Sequence, residues 1–210
     1  MIMIEGKRPR ICIDPGHGGH DSGAVGPQGT KESDIVLAIS KELMYQLELK
    51  KIDSFLTRTD DIYLKLSQRT NKAEGATCFV SIHCNAFSKE SAQGIETLYG
   101  APGGRSKALA NYLQQAMLKG LKDGKHKNRG IKMSPSKGYP RNLFVLRSAP
   151  CPASLVECEF ISNPDQEKFL KDPTNQTKIA YALACGIESF LYSLPGGQCV
   201  EDSQWDMGLV

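Results

Sequence analysis

Residues 10–19 read RICIDPGHGG, a short apolar run followed at once by a glycine-rich turn that carries a histidine. The run over residues 10–13 predicts a buried β-strand, and the glycines allow tight turns and close approach of a ligand. A phosphate-binding loop is the rival interpretation of residues 16–23. It is disfavoured because the segment lacks the G-x-G-x-x-G order and a Walker lysine, and because a phosphate loop has no need of His17.

A second histidine stands in the same kind of position. His83 ends the apolar run over residues 79–83, which predicts another strand. Ligand sites in open α/β sheets form at the carboxyl ends of strands, so His17 and His83 can share one metal ion there. A hydrolytic zinc site needs a third protein ligand, and Glu32, just before the first long helix, is the best candidate. Spacing alone gives equal weight to the alternative that Glu32 only stabilises the helix N-terminus.

Strand patterns alternate with helix patterns along the chain, which predicts an α/β domain with a largely parallel sheet. Strands are predicted over residues 10–13, 54–57, 78–82, 94–99 and 154–158, and helices over residues 33–50, 66–74, 106–121 and 174–194. Ser33 is the expected cap of the first helix. Residues 143–146 are too few to assign to either type, and residues 122–141 are predicted to be a surface loop beside the site.

Two glutamates interrupt an otherwise apolar strand. Glu157 and Glu159 lie in the run LVECEF, residues 155–160. A carboxylate in such a strand is expensive to bury unless it is paired or lies near a metal. Alternation along a strand puts both glutamates on one face, which can look toward the metal. The alternative is an edge strand with a solvated acidic face. His20 and His126 are weaker candidates for a role in the site.

The composition predicts one soluble globular domain, with 210 residues, 40% of them hydrophobic and 23% charged. No apolar run approaches the roughly 18 residues of a membrane span. The net charge of +3 is mild and its basic residues form no stripe with interleaved aromatics, so nucleic acid is not an expected partner. The seven cysteines are odd in number and form no C-x-x-C pair, which favours buried free thiols over a disulfide framework.

A series of short motifs, running in order from about Arg10 to Tyr192, resembles a known family, the zinc N-acetylmuramoyl-L-alanine amidases of the amidase_3 (LytC/AmiC-like) type. The motifs are ICIDPGHGG (11–19), Glu32 at the start of the first long helix, TRTDDIYL (57–64), LSQRTNKA (66–73, with Arg69), SIHCNA (81–86), GIETLY (94–99), RGIK (129–132), LFVLR (143–147) and PASLVECEFISN (152–163). The resemblance implies that His17, Glu32 and His83 bind one Zn²⁺ per chain and that Glu157 is the catalytic base. One departure is that Glu159 replaces a glycine of the family's Glu-x-Gly-Phe pattern.

The same resemblance implies a fold and an activity. The fold is three-layered, with a mostly parallel mixed sheet flanked by helices (phosphorylase/hydrolase-like). The activity is hydrolysis of the amide bond between N-acetylmuramic acid and the L-alanine of the stem peptide, so peptidoglycan is the expected partner. Two rivals are a wall-binding module with an inactive site, which the presence of all four key residues opposes, and a zinc peptidase that cuts within the stem peptide.

Residues 8–194 are expected to form the catalytic domain, and residues 195–210, which follow a Pro-Gly-Gly breaker, a tail. Some relatives carry a helix that blocks the zinc, but residues 122–141 contain too much glycine and proline to form one, so no activator is expected. The chain begins without a visible signal peptide. It suits either a phage or prophage endolysin, cytoplasmic until released to the wall, or a secreted or periplasmic bacterial amidase whose leader was removed.

Overall fold

The computed structural model describes residues 2–101, 103–122, 124–135 and 143–199. Its strands are β1 (Ile2–Met3), β2 (Arg10–Pro15), β3 (Asp53–Leu56), β4 (Cys78–Asn85), β5 (Ile95–Gly100), β6 (Asn128–Ser134), β7 (Ala153–Phe160) and β8 (Gln198–Cys199). Its helices are α1 (Glu32–Leu49), α2 (Leu66–Lys72), α3 (Arg105–Gly120), α4 (Phe144–Ser148), α5 (Pro164–Lys171) and α6 (Pro173–Ser193). Every strand and helix predicted from periodicity is present, although the bounds differ by up to a few residues.

The central sheet has six strands in the order β3-β2-β4-β7-β5-β6. The first four are mutually parallel, whereas β5 runs antiparallel to β7 and β6 runs parallel to β5. The sheet is therefore mixed but mostly parallel, which confirms the predicted fold class. Parallel strands end at one edge of a sheet, so residues that follow β2 and residues near the ends of β4 and β7 meet there.

Helices cover both faces of this sheet and create two cores. On one face, α1, α3 and α6 pack on the larger core, which includes Ile13, Val80 and Val156. On the other face, Phe79 and Leu155 belong to a smaller core with residues of α4. The whole of β7 is buried, as expected for a central strand covered on both sides. Within the described ranges, no helix is both long enough and apolar enough to cross a membrane.

Two predictions of local structure were wrong, and one helix was missed. Ser33 is not the cap of α1, because the helix already begins at Glu32, after Lys31. The predicted loop over residues 122–141 contains strand β6, which extends the sheet beside β5. As an edge strand it has few apolar residues, so its sequence, NRGIKMS, carries little strand signal. Helix α5 was missed, although Asn163 caps it and Pro164 occupies its first turn, a recognisable start signal.

The packed unit extends beyond the predicted bounds of residues 8–194. Ile2 of β1 is buried in the larger core. Strand β8 lies within the predicted tail and pairs antiparallel with β1, with Ile2 opposite Cys199. The rest of the predicted tail, residues 200–210, lies outside the described residues. The unassigned residues 143–146 form the cap and the first turn of α4.

Candidate metal centre

Three adjacent strands bring the predicted site residues to one edge of the sheet. His17 follows β2, His83 lies in β4, and Glu157 lies in β7. Strand β4 runs on to Asn85, so His83 is inside the strand rather than at its end. His83 is paired in register with Glu157. Neighbouring strands lie about 4.8 Å apart and paired residues share a face, so Glu157 projects beside His83.

Glu32 reaches the same point from the first turn of α1. Its Oε1 lies 3.3 Å from Nε2 of His17 and 3.0 Å from Nδ1 of His83. One ligand atom from each of these residues lies within 4.8 Å of the others, which makes the trio a group that could hold a metal ion. The structure therefore brings together all three residues that the sequence proposed as ligands.

Backbone amides fix the orientation of the Glu32 carboxylate. The N–H of Cys84 donates to Oε1 and the N–H of Ala24 donates to Oε2, each at 2.9 Å. Burial alone would raise the pKa of Glu32, but hydrogen bonds with His17 and His83 outweigh burial and hold that pKa well below its usual range. Glu32 is thus kept anionic, the form that binds a cation. Because it also lies in the first turn of α1, it fulfils the alternative role at the helix N-terminus as well.

His17 is held by its other ring nitrogen. Its Nδ1 lies 3.0 Å from Oδ2 of Asp21, so Nε2 faces Glu32. A carboxylate behind an imidazole ligand sets the ring's orientation and raises its basicity. Burial lowers the pKa of His17, but the hydrogen bonds with Glu32 and Asp21 outweigh burial and raise that pKa above its ordinary value. The sequence analysis missed Asp21, which only the turn of the chain brings back toward His17.

Two glycines leave room for the ligands. A Cβ at Gly16 would collide with the imidazole ring of His83. A Cβ at Gly23 would come within 2.6 Å of Oε2 of Glu32 and 2.7 Å of Cδ2 of His17. The glycines singled out in the sequence therefore allow close packing of the ligands around one point, rather than of backbone around a phosphate.

Two buried arginines hold the turn that carries His17. Arg69 donates to the backbone oxygens of Pro15 and His17 and forms an ion pair of 3.0 Å with Asp14. Arg58 donates to the backbone oxygens of Pro15 and Gly16. Buried carbonyl groups need hydrogen-bond partners, and here the side chains from the β3–α2 region supply them. The sequence analysis quoted both arginines only as parts of motifs and gave them no role.

The donor set fits a metal ion of a particular kind. Two imidazoles and one carboxylate are the protein ligands of hydrolytic zinc sites, which keep a further position for water. Calcium and magnesium prefer sites made of oxygen ligands alone. With its anionic carboxylate, its oriented imidazole and the space left by Gly16 and Gly23, the group formed by His17, Glu32 and His83 suits zinc.

The two glutamates of β7 do not share a face, contrary to the prediction. The pairing of β4 with β7 passes from His83 opposite Glu157 to Asn85 opposite Phe160. Cys158 and Glu159 therefore both face a single residue of β4, which is a β-bulge. The extra residue reverses the alternation, so Glu159 turns away from the face that carries Glu157 and His83.

Glu159 has a structural environment of its own. Its Oε2 accepts a hydrogen bond from the backbone of Gly94 at 2.6 Å, and its Oε1 lies 3.0 Å from Nδ1 of His126. The His126 ring packs on Phe169 of α5, with centroids 4.4 Å apart. His126 is therefore a buried partner of Glu159 rather than a ligand in the metal group. Glu157 is left as the glutamate of β7 that lies beside His83.

A cleft of about 300 Å³ opens at the metal group. Its lining includes His17 and His83 together with Tyr63 and Leu66, which are both exposed, and Phe144 of α4. His20, the remaining histidine, stacks on Tyr63 with ring centroids 4.1 Å apart. Apolar and aromatic side chains thus form part of the wall of the cleft.

Comparisons with a family model and with curated relatives point to the same family. Residues 11–189 match the family model Amidase_3, described as N-acetylmuramoyl-L-alanine amidase. The chain is 34% identical to N-acetylmuramoyl-L-alanine amidase AmiA of Escherichia coli, and the match covers 89% of this chain and 77% of AmiA. It is 30% identical to AmiC of Neisseria meningitidis, but there the chain spans only about half the relative, 53% of its length.

A solved structure shares the fold and about a third of the aligned residues. The N-acetylmuramoyl-L-alanine amidase of Clostridium difficile 630 superposes with a TM-score of 0.80 at 34% identity. The match covers 89% of this chain and 98% of that structure. The family match over residues 11–189 contains the whole group of His17, Glu32, His83 and Glu157.

Proposed function

The chain belongs to the Amidase_3 family of N-acetylmuramoyl-L-alanine amidases, and we propose that it is a zinc-dependent peptidoglycan amidase. Its substrate is the amide bond between the lactyl group of N-acetylmuramic acid and the L-alanine of the stem peptide. His17, Glu32 and His83 hold the zinc, and Glu157 is the catalytic base. The observation that carries this proposal is the convergence of three ligand atoms within 4.8 Å beside a strand on which Glu157 is in register with His83.

The residues divide the chemistry between them. When bound, zinc supplies a Lewis acid and lowers the pKa of water toward about 7. Glu157 accepts a proton from the water that attacks the lactyl carbonyl carbon, and it then donates a proton to the alanine nitrogen as the C–N bond breaks. The products are a glycan with a free lactyl carboxylate and a peptide with a free amino group. Asp21, Arg58 and Arg69 keep the His17 turn in place during the reaction.

Product analysis of digested peptidoglycan tests this function. We expect digestion to release amino groups that belong to L-alanine, without new reducing ends, and we expect a chelator to stop the reaction and added Zn²⁺ to restore it. Amino groups that belong to other residues would instead identify a peptidase. Binding to the wall without any release, in protein that contains stoichiometric zinc, would identify a wall-binding module and refute the proposal.

A further inference from the structure

A second depression lies beside the metal centre, on the other side of β7. This basic groove encloses about 540 Å³, and its charged lining consists of Lys89, Lys127, Arg129, Lys132 and Glu96. Four cations thus face a single carboxylate. The chain as a whole carries a net charge of only +3, so a large share of its positive excess is concentrated here. Such a groove attracts anionic groups.

The basic groove is continuous with the metal centre through the sheet. Glu96 of β5 pairs directly with Glu157 of β7. Asn85, two residues after His83 in β4, donates from Nδ2 to Oε1 of Glu96 at 3.1 Å. The bulge in β7 that turns Glu159 away leaves Phe160, opposite Asn85, in the lining of the groove. The floor of the groove therefore begins where the metal centre ends.

Glu96 holds Arg129 and Lys132 in place at the centre of the groove, but its single negative charge neutralises only one of their two positive charges. It is only 2% exposed and its Oε2 accepts from Nε of Arg129 at 2.9 Å and from Nζ of Lys132 at 2.6 Å. Two cations on one buried carboxylate leave a net positive charge. The Arg129 side chain is 32% exposed and its guanidinium lies 4.8 Å from the centre of the Phe160 ring, so one planar group is held in place and still open to solvent.

The distance from the metal centre to the groove sets what can bind there. The metal ligand His83 lies on β4, and the side chains of Arg129 and Lys132 meet at Glu96 of β5. Two strand spacings separate β4 from β5 in the order β4-β7-β5, or about 10 Å at roughly 4.8 Å each. An extended peptide rises about 3.3 Å per residue, so this span corresponds to two or three residues. A peptide whose N-terminal amide lies at the metal centre would place its second or third residue among Arg129 and Lys132.

We propose that the basic groove binds carboxylates on the second or third residue of the peptide, and that Arg129 and Lys132 determine the preference for an acidic stem peptide. The proposal rests on the proposed function, because that function places the scissile amide at the metal centre. A guanidinium matches a carboxylate in geometry, and hydrogen bonds between charged groups are stronger than neutral ones. The ligand is therefore an acidic peptide, bound in extended form across the ends of β7, β5 and β6.

Binding of the released peptide tests the groove independently of catalysis. The ligand is a tripeptide that begins with L-alanine and has a free carboxylate on its second residue and another on its third residue. The matched ligand is the same tripeptide with carboxamides at those positions. We expect the protein to bind the acidic form about 10-fold more tightly or better, and R129Q and K132Q each to lose most of that preference.

Controls separate a role in recognition from a role in folding. K119Q removes an exposed lysine from α3, on a different groove, and should leave the preference unchanged. R129K keeps the charge but loses the planar group, so it should retain part of the preference. Thermal unfolding of each variant shows whether Glu96 still has sufficient partners. If R129Q weakened binding of the two tripeptides equally, or changed neither, the proposal would be overturned.

Turnover distinguishes failure of this proposal from failure of the proposed function. The matched substrates are the two tripeptides joined to N-acetylmuramic acid. Selective loss of kcat/KM on the acidic substrate in R129Q, mainly through KM, would support the groove. A protein that cleaved neither substrate yet bound the acidic tripeptide selectively would refute the amidase and support the groove. Cleavage of both substrates at equal rates, with equal binding of both tripeptides, would support the amidase and refute the groove.

Discussion

On one side of β7 the His17 turn is held by buried hydrogen bonds to backbone carbonyls, whereas on the other side the basic groove is held by partly exposed side chains around Glu96. The side chains of Arg69 and Asp14 are 3% and 1% exposed, while those of Arg129 and Lys132 are 32% and 31% exposed. The first side fixes where ligand atoms lie. The second side carries charge in positions that tolerate movement. Substitutions should therefore affect metal binding on the first side and substrate choice on the second.

The largest effect is expected from removing a ligand on the rigid side. H83A should lose both bound zinc and amidase activity, because two ligands do not hold a catalytic zinc at working concentrations. H20A is the matched control, since His20 stacks on Tyr63 outside the metal group. Zinc content by atomic absorption and activity on peptidoglycan check both variants. An H83A protein with full zinc would remove His83 from the ligand set.

The next effect compares the two glutamates that the bulge separates. E157Q should keep zinc and lose about 10²–10⁴-fold in kcat, the usual scale for a general acid–base residue. E159Q should keep zinc and most of its kcat but unfold more easily, because Glu159 accepts buried hydrogen bonds from Gly94 and Phe160. Kinetics and thermal unfolding separate the two outcomes. If E159Q were the inactive enzyme and E157Q the active one, their roles would be reversed.

Two arginines test the contrast between the sides directly. R69Q should lower the free energy of unfolding by about 3–5 kcal/mol, because it leaves Asp14 charged and buried without its cation. R129Q should lower it by less than about 1 kcal/mol, because Arg129 is partly solvated. Lys132 and Asn85 also remain on Glu96. Denaturant titration measures both values. Equal losses of unfolding free energy in R69Q and R129Q would contradict the proposed difference between the two sides.

A smaller effect is expected from crowding the ligands without removing one. G23A places a methyl group against Glu32 and His17, so it should weaken zinc binding by about 10–100-fold, as loss of support for a metal ligand does. G29A is the control for backbone strain, because Gly29 also has a positive φ but an added Cβ there meets open space. Competition with a chelator gives both affinities. Similar zinc affinities in the two variants would show that the crowding is relieved.

The smallest effect is expected from the end of the chain. We predict an enzyme that needs no activator. A form ending at Cys199, which keeps β8, should therefore cleave peptidoglycan within about two-fold of the rate of the 210-residue chain, because the last residues of a domain commonly tolerate truncation. Within residues 122–141, the described part contains strand β6 and no helix that would cover the cleft. Parallel assays on one wall preparation give the ratio. A large gain on truncation would identify residues 200–210 as inhibitory.

Much of this architecture was predictable because its signals are local. The helices show apolar periodicity, and the strands that carry His17 and His83 are apolar runs next to glycine or polar residues. The α/β class and the three proposed ligands follow from those patterns and from the family resemblance. The antiparallel course of β5 was not predictable, because a strand's direction relative to its neighbours depends on long-range pairing that alternation does not encode.

The features that the sequence analysis missed or misplaced depend on contacts that form only in the folded chain. The separation of Glu157 from Glu159 depends on the bulge at Cys158 and Glu159, and strict alternation assumes that none exists. The roles of Arg58 and Arg69 depend on carbonyl groups of the His17 turn, more than 40 positions earlier in the chain. Such contacts arise only once the chain is folded, so they leave no spacing in the sequence.

The pairing of β1 with β8 has a consequence for how the domain can be joined to other proteins. Ile2 lies opposite Cys199, and paired residues of antiparallel strands have Cα atoms about 5 Å apart. The two ends of the folded unit therefore leave it at one place. Such a unit can be inserted into a surface loop of a host protein, or closed by a short linker and reopened at an exposed turn such as the one at Gly75, where no side chain packs closely. The metal centre would keep its geometry in these rearrangements, since none of its residues lies near that junction in the chain.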